Sequence, residues 1–170
     1  MMVDYFHSLE NEHVIRWYDE HCLISNINGM AKDLESRGYT ADPKSGLFFR
    51  KLFSEEFLQK MSQTIIDVGF LRPTDVHFHE DVNEFVKVIG GKGYVFSKYK
   101  GEISTPDISS FNESEVEIPK GRRHAFSPSR NGFLELRVVC DGILDSNKEH
   151  CVTPFYEFED WEKVHGKRKN

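Results

Sequence analysis

Near residue 64 the period of the chain changes, and that change limits the folds open to it. From there on, short β-branched and aromatic runs cover residues 64–71, 76–79, 84–89, 94–99, 115–118, 124–126 and 133–139. Turn residues separate them: Arg72-Pro73, Gly90-Gly91-Lys92-Gly93, Ser104-Thr105-Pro106, Pro119-Lys120-Gly121 and Ser129-Arg130-Asn131-Gly132. Short runs at this spacing, with no helical period between them, predict an antiparallel β-sandwich or β-barrel. The Gly90–Gly93 segment, lying between two runs, reads as a hairpin turn.

Upstream the period is helical. Ile27, Met30, Ala31 and Leu34 fall on one face, with Ser25 or Asn26 as a cap and Gly38 as a stop. Ser54 followed by Glu55 and Glu56 predicts a second helix start, because an oxygen cap and acids in the first turn both suit exposed N–H groups. Phe57 and Met61 share one side of that helix. Leu9, His13 and Trp17 suggest a further helix over 8–21. The expected organisation is a helical extension over 1–63 packed on a β-barrel over 64–143. Residues 144–170 would be a C-terminal strand or helix and a basic tail.

With 14 Phe and 38% hydrophobic residues, the chain can form a packed core and is not disordered over most of its length. The net charge of −6 is evenly spread: residues 1–72 carry 8 basic and 11 acidic side chains, residues 73–170 carry 14 and 17. No half is basic, so nucleic acid is not an expected partner. No apolar run approaches the ~18 residues that cross a bilayer, so no membrane span is expected either. Residues 1–12 lack the basic start of a signal peptide, and Cys22, Cys140 and Cys151 form no close-spaced pair. Both features point to a reducing cytoplasm.

The chemistry gathers at three histidines and one glutamate. His77 and His79 flank Phe78 on an expected strand, so their side chains point the same way, ~7 Å apart along the chain. Glu84 starts the next run after four residues, and His124 follows a Pro-x-Gly turn at Pro119 and Gly121. Imidazole and carboxylate donors suit Fe, Mn, Ni, Cu or Zn and do not suit Ca or Mg. His7, His13, His21, His150 and His165 match no ligand spacing. No Gly-x-Ser-x-Gly nucleophile elbow and no phosphate-binding P-loop occurs in the sequence.

Residues 76–91, VHFHEDVNEFVKVIGG, resemble the first motif of the cupin superfamily: His-x-His, a Glu after four residues, and a Gly after six more. Residues 118–124, IPKGRRH, resemble the second motif, Pro-x-Gly-x-x-His. Leu71, Glu113 and Pro128 stand where the family usually has Gly, Gly and Asn. The resemblance covers residues 64–143. It implies a mainly β fold, a double-stranded jelly-roll barrel holding one divalent transition metal ion, with iron the first choice and Mn, Ni, Zn or Cu the others. By this match His77, His79, Glu84 and His124 are the ligands.

The resemblance further implies a metal-dependent enzyme of dioxygenase type acting on a small oxyanionic molecule, since the family includes oxygenases with this ligand set. A redox-neutral sugar or sugar-acid isomerase or lyase, and a non-catalytic binding or sensing module, are the alternatives on the same scaffold. Around the ion the expected wall is apolar, with Phe126, Val86 and Val88 facing inward. Residues 133–139 leave their inner face open between Leu134, Leu136 and Val138 on one side and Phe133, Glu135, Arg137 and Val139 on the other. The second choice would make Arg137 an anion anchor, because its planar fork binds carboxylate or phosphate through two parallel bonds. Arg122, beside His124, is a further candidate substrate contact. A homodimer is expected, since sheet edges need cover.

Overall fold

The computed structural model describes residues 27–42, 47–71, 74, 77–99, 102–104, 107–111, 114–129, 133–144 and 149–151. The helix expected over 8–21 and the basic tail lie outside the described residues.

The first helix, α1 (Ile27–Ser36), ends as its sequence predicts. Gly38 takes a left-handed φ of +91°. Its N–H then donates to Glu35 O and the Tyr39 N–H to Leu34 O, both at 3.1 Å, which uses carbonyls the helix end would leave unpaired. Ala31 and Leu34 are buried. Leu34 reaches the sheet because Gly69 has no side chain: a Cβ there would lie 3.2 Å from Leu34 Cδ1. Full burial of such a leucine contributes about 1.5–3 kcal/mol. The second helix, α2 (Glu55–Met61), is capped by Ser54, whose Oγ accepts from the Phe57 N–H at 3.2 Å. It buries none of its side chains; Phe57 stacks on Phe53 at 5.2 Å between ring centroids.

The stretch before residue 63 is not only helical. It also contributes strands β1 (Thr40–Ala41) and β2 (Phe48–Lys51), with β2 antiparallel to β3 (Thr64–Phe70). Phe48 lies fully buried on the face that α1 covers, so this edge of the sheet exists because the helix does.

The remaining strands are β4 (His77–His79), β5 (Glu84–Tyr99), β6 (Glu102–Ser104), β7 (Asp107–Ser109), β8 (Glu115–Ile118), β9 (Arg123–Pro128), β10 (Leu134–Cys140) and β11 (Glu149–Cys151). The paired order is β1-β2-β3-β10-β5-β9-β4-β11, with β6, β7 and β8 along the other edge of β5. The sheet curls on itself as a mainly β, antiparallel jelly roll. Its apolar interior draws on Val68 and Phe70 from β3, Leu134, Leu136 and Val138 from β10, Val86, Val88 and Val95 from β5, Ile118 from β8 and Phe126 from β9.

The expected hairpin at Gly90–Gly93 is not there. β5 runs without a break through these residues, pairing with β10 as far as Gly91 and with β9 from Gly93 onward. The glycines serve the crossing between the two halves of the roll. Gly91 has φ +71°, and a Cβ on it would fall 1.9 Å from Phe133 O; one on Gly93 would fall 2.1 Å from Ser127 O. A register shift in β10 between Glu135 and Leu136 accompanies the bend, as expected where a strand changes sheets.

Candidate metal centre

β4 is only three residues long, and two of them are the histidines. His77 sits directly opposite His124 of β9, so their side chains share the inner face. Their ring centroids are 4.3 Å apart; His79 lies 5.1 Å from His77 and 5.7 Å from His124. One ring nitrogen from each of the three can be chosen so that all lie within 4.8 Å of one another. Glu84, 5% exposed, enters the same space from the first position of β5. Its Oε1 is 2.9 Å from His79 Nε2 and its Oε2 is 3.1 Å from His124 Nε2. The structure thus brings together all four residues singled out by the sequence.

The hydrogen bonds of His124 show which of its ring nitrogens faces Glu84. His124 is 1% exposed, and its Nδ1 lies 2.9 Å from the carbonyl oxygen of Arg122. A carbonyl only accepts, so Nδ1 carries a hydrogen and Nε2 is the ring nitrogen turned toward Glu84; in the tautomer with one hydrogen it presents a lone pair. That atom is buried, has no aligned hydrogen-bond partner, and faces a carboxylate oxygen. Two lone-pair donors held this close repel unless a cation, a proton or a metal ion, neutralises the pair. Burial by itself would raise the Glu84 carboxyl, but His124 and His79 outweigh it and hold the group well below the usual carboxylate range. One carboxylate and three imidazoles are a donor set that suits a divalent transition ion.

Phe126 is buried beside the cluster, its ring 5.9 Å from His124 and 5.8 Å from Phe70. Val86 and Val88 follow Glu84 on the same inner face of β5. Arg122 contributes its carbonyl to the centre. Arg137 is not brought to it. The inner face of β10 is Leu134, Leu136 and Val138, so Arg137 points to the opposite side. There its Nε donates to Asp67 Oδ1 at 2.8 Å, while Arg50 donates to Asp67 Oδ2 at 2.6 Å. The anion-anchor expectation fails because the interior takes the apolar face of the strand, leaving the arginine to neutralise a buried aspartate on the other side. Glu135 is held in the same layer by Arg37 and by Tyr39, whose hydroxyl donates to Oε2 at 3.1 Å.

Sequence reasoning did not assign Cys140 a place. It is fully buried at the end of β10, directly opposite Glu84. Burial first, then the charges of Glu84 and Asp141, push its thiol well above the ordinary range, so it stays protonated and acts as a small apolar wall. Its strand parity with Leu136 and Val138 was the available signal.

No protein-family model matches the chain, and no curated protein does. Several solved structures share the fold. SO0799 of Shewanella oneidensis matches with a TM-score of 0.61 at 15% identity, covering 86% of this chain and 99% of that one. CapF, the capsular polysaccharide assembling protein of Staphylococcus aureus, matches with a TM-score of 0.53 at 16% identity over 67% of this chain. The match covers 32% of CapF, so this chain corresponds to about a third of it. Pac13, a nucleoside dehydratase from Streptomyces, matches with a TM-score of 0.51 at 14% identity, covering 69% of this chain and 87% of Pac13. At these identities the likeness establishes the jelly-roll fold and nothing about substrate.

Proposed function

We propose that the chain is a metal-dependent cupin in which His77, His79, Glu84 and His124 hold one divalent transition ion, iron in the first instance, for dioxygenase-type chemistry on a small organic oxyanion. The observation that carries this reading is the buried Nε2 of His124 turned toward the Glu84 carboxylate in the company of two more imidazoles. A bound ion would supply a Lewis acid that can polarise substrate oxygens and support reaction with O₂. The chain's own part is to orient three imidazoles, to hold Glu84 ionised, and to surround the centre with Phe126, Val86 and Val88 so that water is excluded. With Arg137 turned away, Arg122 is the arginine left as a candidate substrate contact.

A redox-neutral elimination or isomerisation is the second reading. The contacts of Glu84 with His79 and His124, at 2.9 and 3.1 Å, favour it, because a carboxylate flanked by imidazoles can also move a proton at their Nε2 atoms. Metal analysis of protein purified without a His-tag or added metal tests the first reading. One transition ion per chain is expected, lost on His77→Ala combined with His124→Ala. Full retention of metal by that double variant refutes the ligand assignment. Oxygen uptake with candidate substrates then separates the two chemistries: turnover without O₂ consumption selects the second.

A further inference from the structure

Four residues, Glu80 to Asn83, separate His79 from Glu84, and Asn83 ties this loop to two other segments of the roll. The Asn83 backbone N–H donates to Asp141 Oδ1 at 2.9 Å, and its Nδ2 donates to Asp141 Oδ2 at 2.7 Å. Its side-chain oxygen accepts from the Lys120 N–H at 3.0 Å, and its carbonyl accepts from the Asp141 N–H at 3.3 Å. Lys120 belongs to the turn that leads into His124. The next N–H in that turn, from Gly121, donates to the His79 carbonyl at 2.7 Å. Arg122 closes the turn on Pro119 O at 3.1 Å and offers its own carbonyl to His124 Nδ1. Asp141 directly follows β10, the strand that pairs with β3 on one side and β5 on the other. Between Glu80 and Asn83, Val82 is buried and seats the loop in the core.

We propose that the Asn83–Asp141 pair is a clamp that positions the metal-binding side chains by fastening the His79–Glu84 loop and the His124 turn to the end of β10. The inference rests on the metal-site reading above. Asn83 and Asp141 are positioning residues; neither is a ligand. Both lie toward solvent, where hydrogen bonds add little net stability because water competes for the same groups. Their geometric effect is another matter, since loss of groups that orient metal ligands typically costs 10- to 100-fold in affinity. The expected signature is a large change in metal affinity with a small change in the melting temperature of the metal-free protein.

Cobalt(II) is the probe, read by chelator competition and by its visible absorption bands. Asn83→Ala removes two side-chain contacts, to Asp141 Oδ2 and from the Lys120 N–H, without changing charge and should weaken binding 10- to 100-fold and alter the bands. Asn83→Asp sets two carboxylates face to face and should weaken binding too, although one more negative charge near the site would by itself strengthen it. The exchange Asn83→Asp with Asp141→Asn keeps net charge and can rebuild both side-chain contacts, the Nδ2 donor now coming from position 141, while the backbone N–H of residue 83 still finds an oxygen at position 141. It should restore both affinity and bands. Wild-type affinity in the two single variants, or an exchange variant as weak as Asn83→Asp, overturns the clamp while leaving the metal site intact. If a single variant does not fold, the exchange variant decides alone: wild-type bands support the clamp and altered ones overturn it. Failure of the wild-type protein to bind cobalt overturns both readings.

Discussion

Two glycines of positive φ allow the strand crossing to be tested apart from backbone conformation. Gly91 (φ +71°) and Gly121 (φ +80°) both occupy the left-handed region. Around Gly121 a Cβ would meet nothing within 4 Å, whereas on Gly91 it would fall 1.9 Å from Phe133 O and 2.8 Å from Phe133 C. Gly121→Ala therefore carries only the conformational cost, ~1–2 kcal/mol, partly offset by ~0.5 kcal/mol from a less flexible unfolded chain. Gly91→Ala carries the same cost together with a backbone overlap. Relief requires β5 and β10 to part, at ~1–3 kcal/mol for overpacking. It also breaks the bond from the Lys92 N–H to Phe133 O, now 3.1 Å, worth ~1 kcal/mol. The totals are about 1 kcal/mol for Gly121→Ala and about 3–5 kcal/mol for Gly91→Ala. For a chain of this size each kcal/mol lowers the melting temperature by ~2–4 °C. Thermal unfolding followed by circular dichroism should then show a loss of about 3 °C against about 10 °C or more. Equal shifts would refute the close approach of Gly91 to β10, and with it the uninterrupted β5.

Three other substitutions separate the interior from the outer layer. Leu136→Ala removes a fully buried side chain and should cost ~2–5 kcal/mol in urea unfolding, with a loss below 1 kcal/mol contradicting its place in the core. Asp67→Asn should destabilise by about 1–3 kcal/mol at neutral pH, below the figure for a wholly buried pair because Arg50 and Arg137 keep access to water. Burial would raise the Asp67 carboxyl, but Arg137 and Arg50 hold it below its ordinary value. Its contribution is therefore complete above the unfolded pKa of ~3.9 and is lost as pH falls through the lower folded value. The stability gap between wild type and Asp67→Asn should accordingly be flat from neutral pH to about 5 and narrow below about 4; a gap that widens with acid would show that the pairing is misassigned. Arg137→Ala should change stability by less than about 1 kcal/mol, since Arg50 remains on Asp67, and should leave metal content unchanged. A fall in metal content would return Arg137 to the vicinity of the centre.

Local chemistry in the chain was enough to identify several parts of this protein. Alternating apolar runs from residue 64 onward specify antiparallel strands, because a period of two can bury only one face of a sheet. Ser54 and Gly38 mark helix ends through groups acting within four residues of themselves. His77 and His79 share a face by strand geometry alone, and the resemblance to the two cupin motifs implied that Glu84 and His124 join them. Tertiary structure decided what depends on distant partners. The 133–139 run has two plausible inner faces, and Arg137 lies outside because Asp67, Arg50 and the cover provided by α1 make that side hospitable to charge. The Gly90–Gly93 segment has the composition of a tight turn, yet the groups that require glycine there, Phe133 O and Ser127 O, lie more than thirty residues away. β2 likewise became a strand only because β3 and α1 give Phe48 a buried place on each side. Asn83, an ordinary loop residue by composition, gained its role when Asp141 and Lys120 were folded against it. Periodicity reports the face a residue shares with its near neighbours, whereas the side that becomes interior is chosen by elements far along the chain.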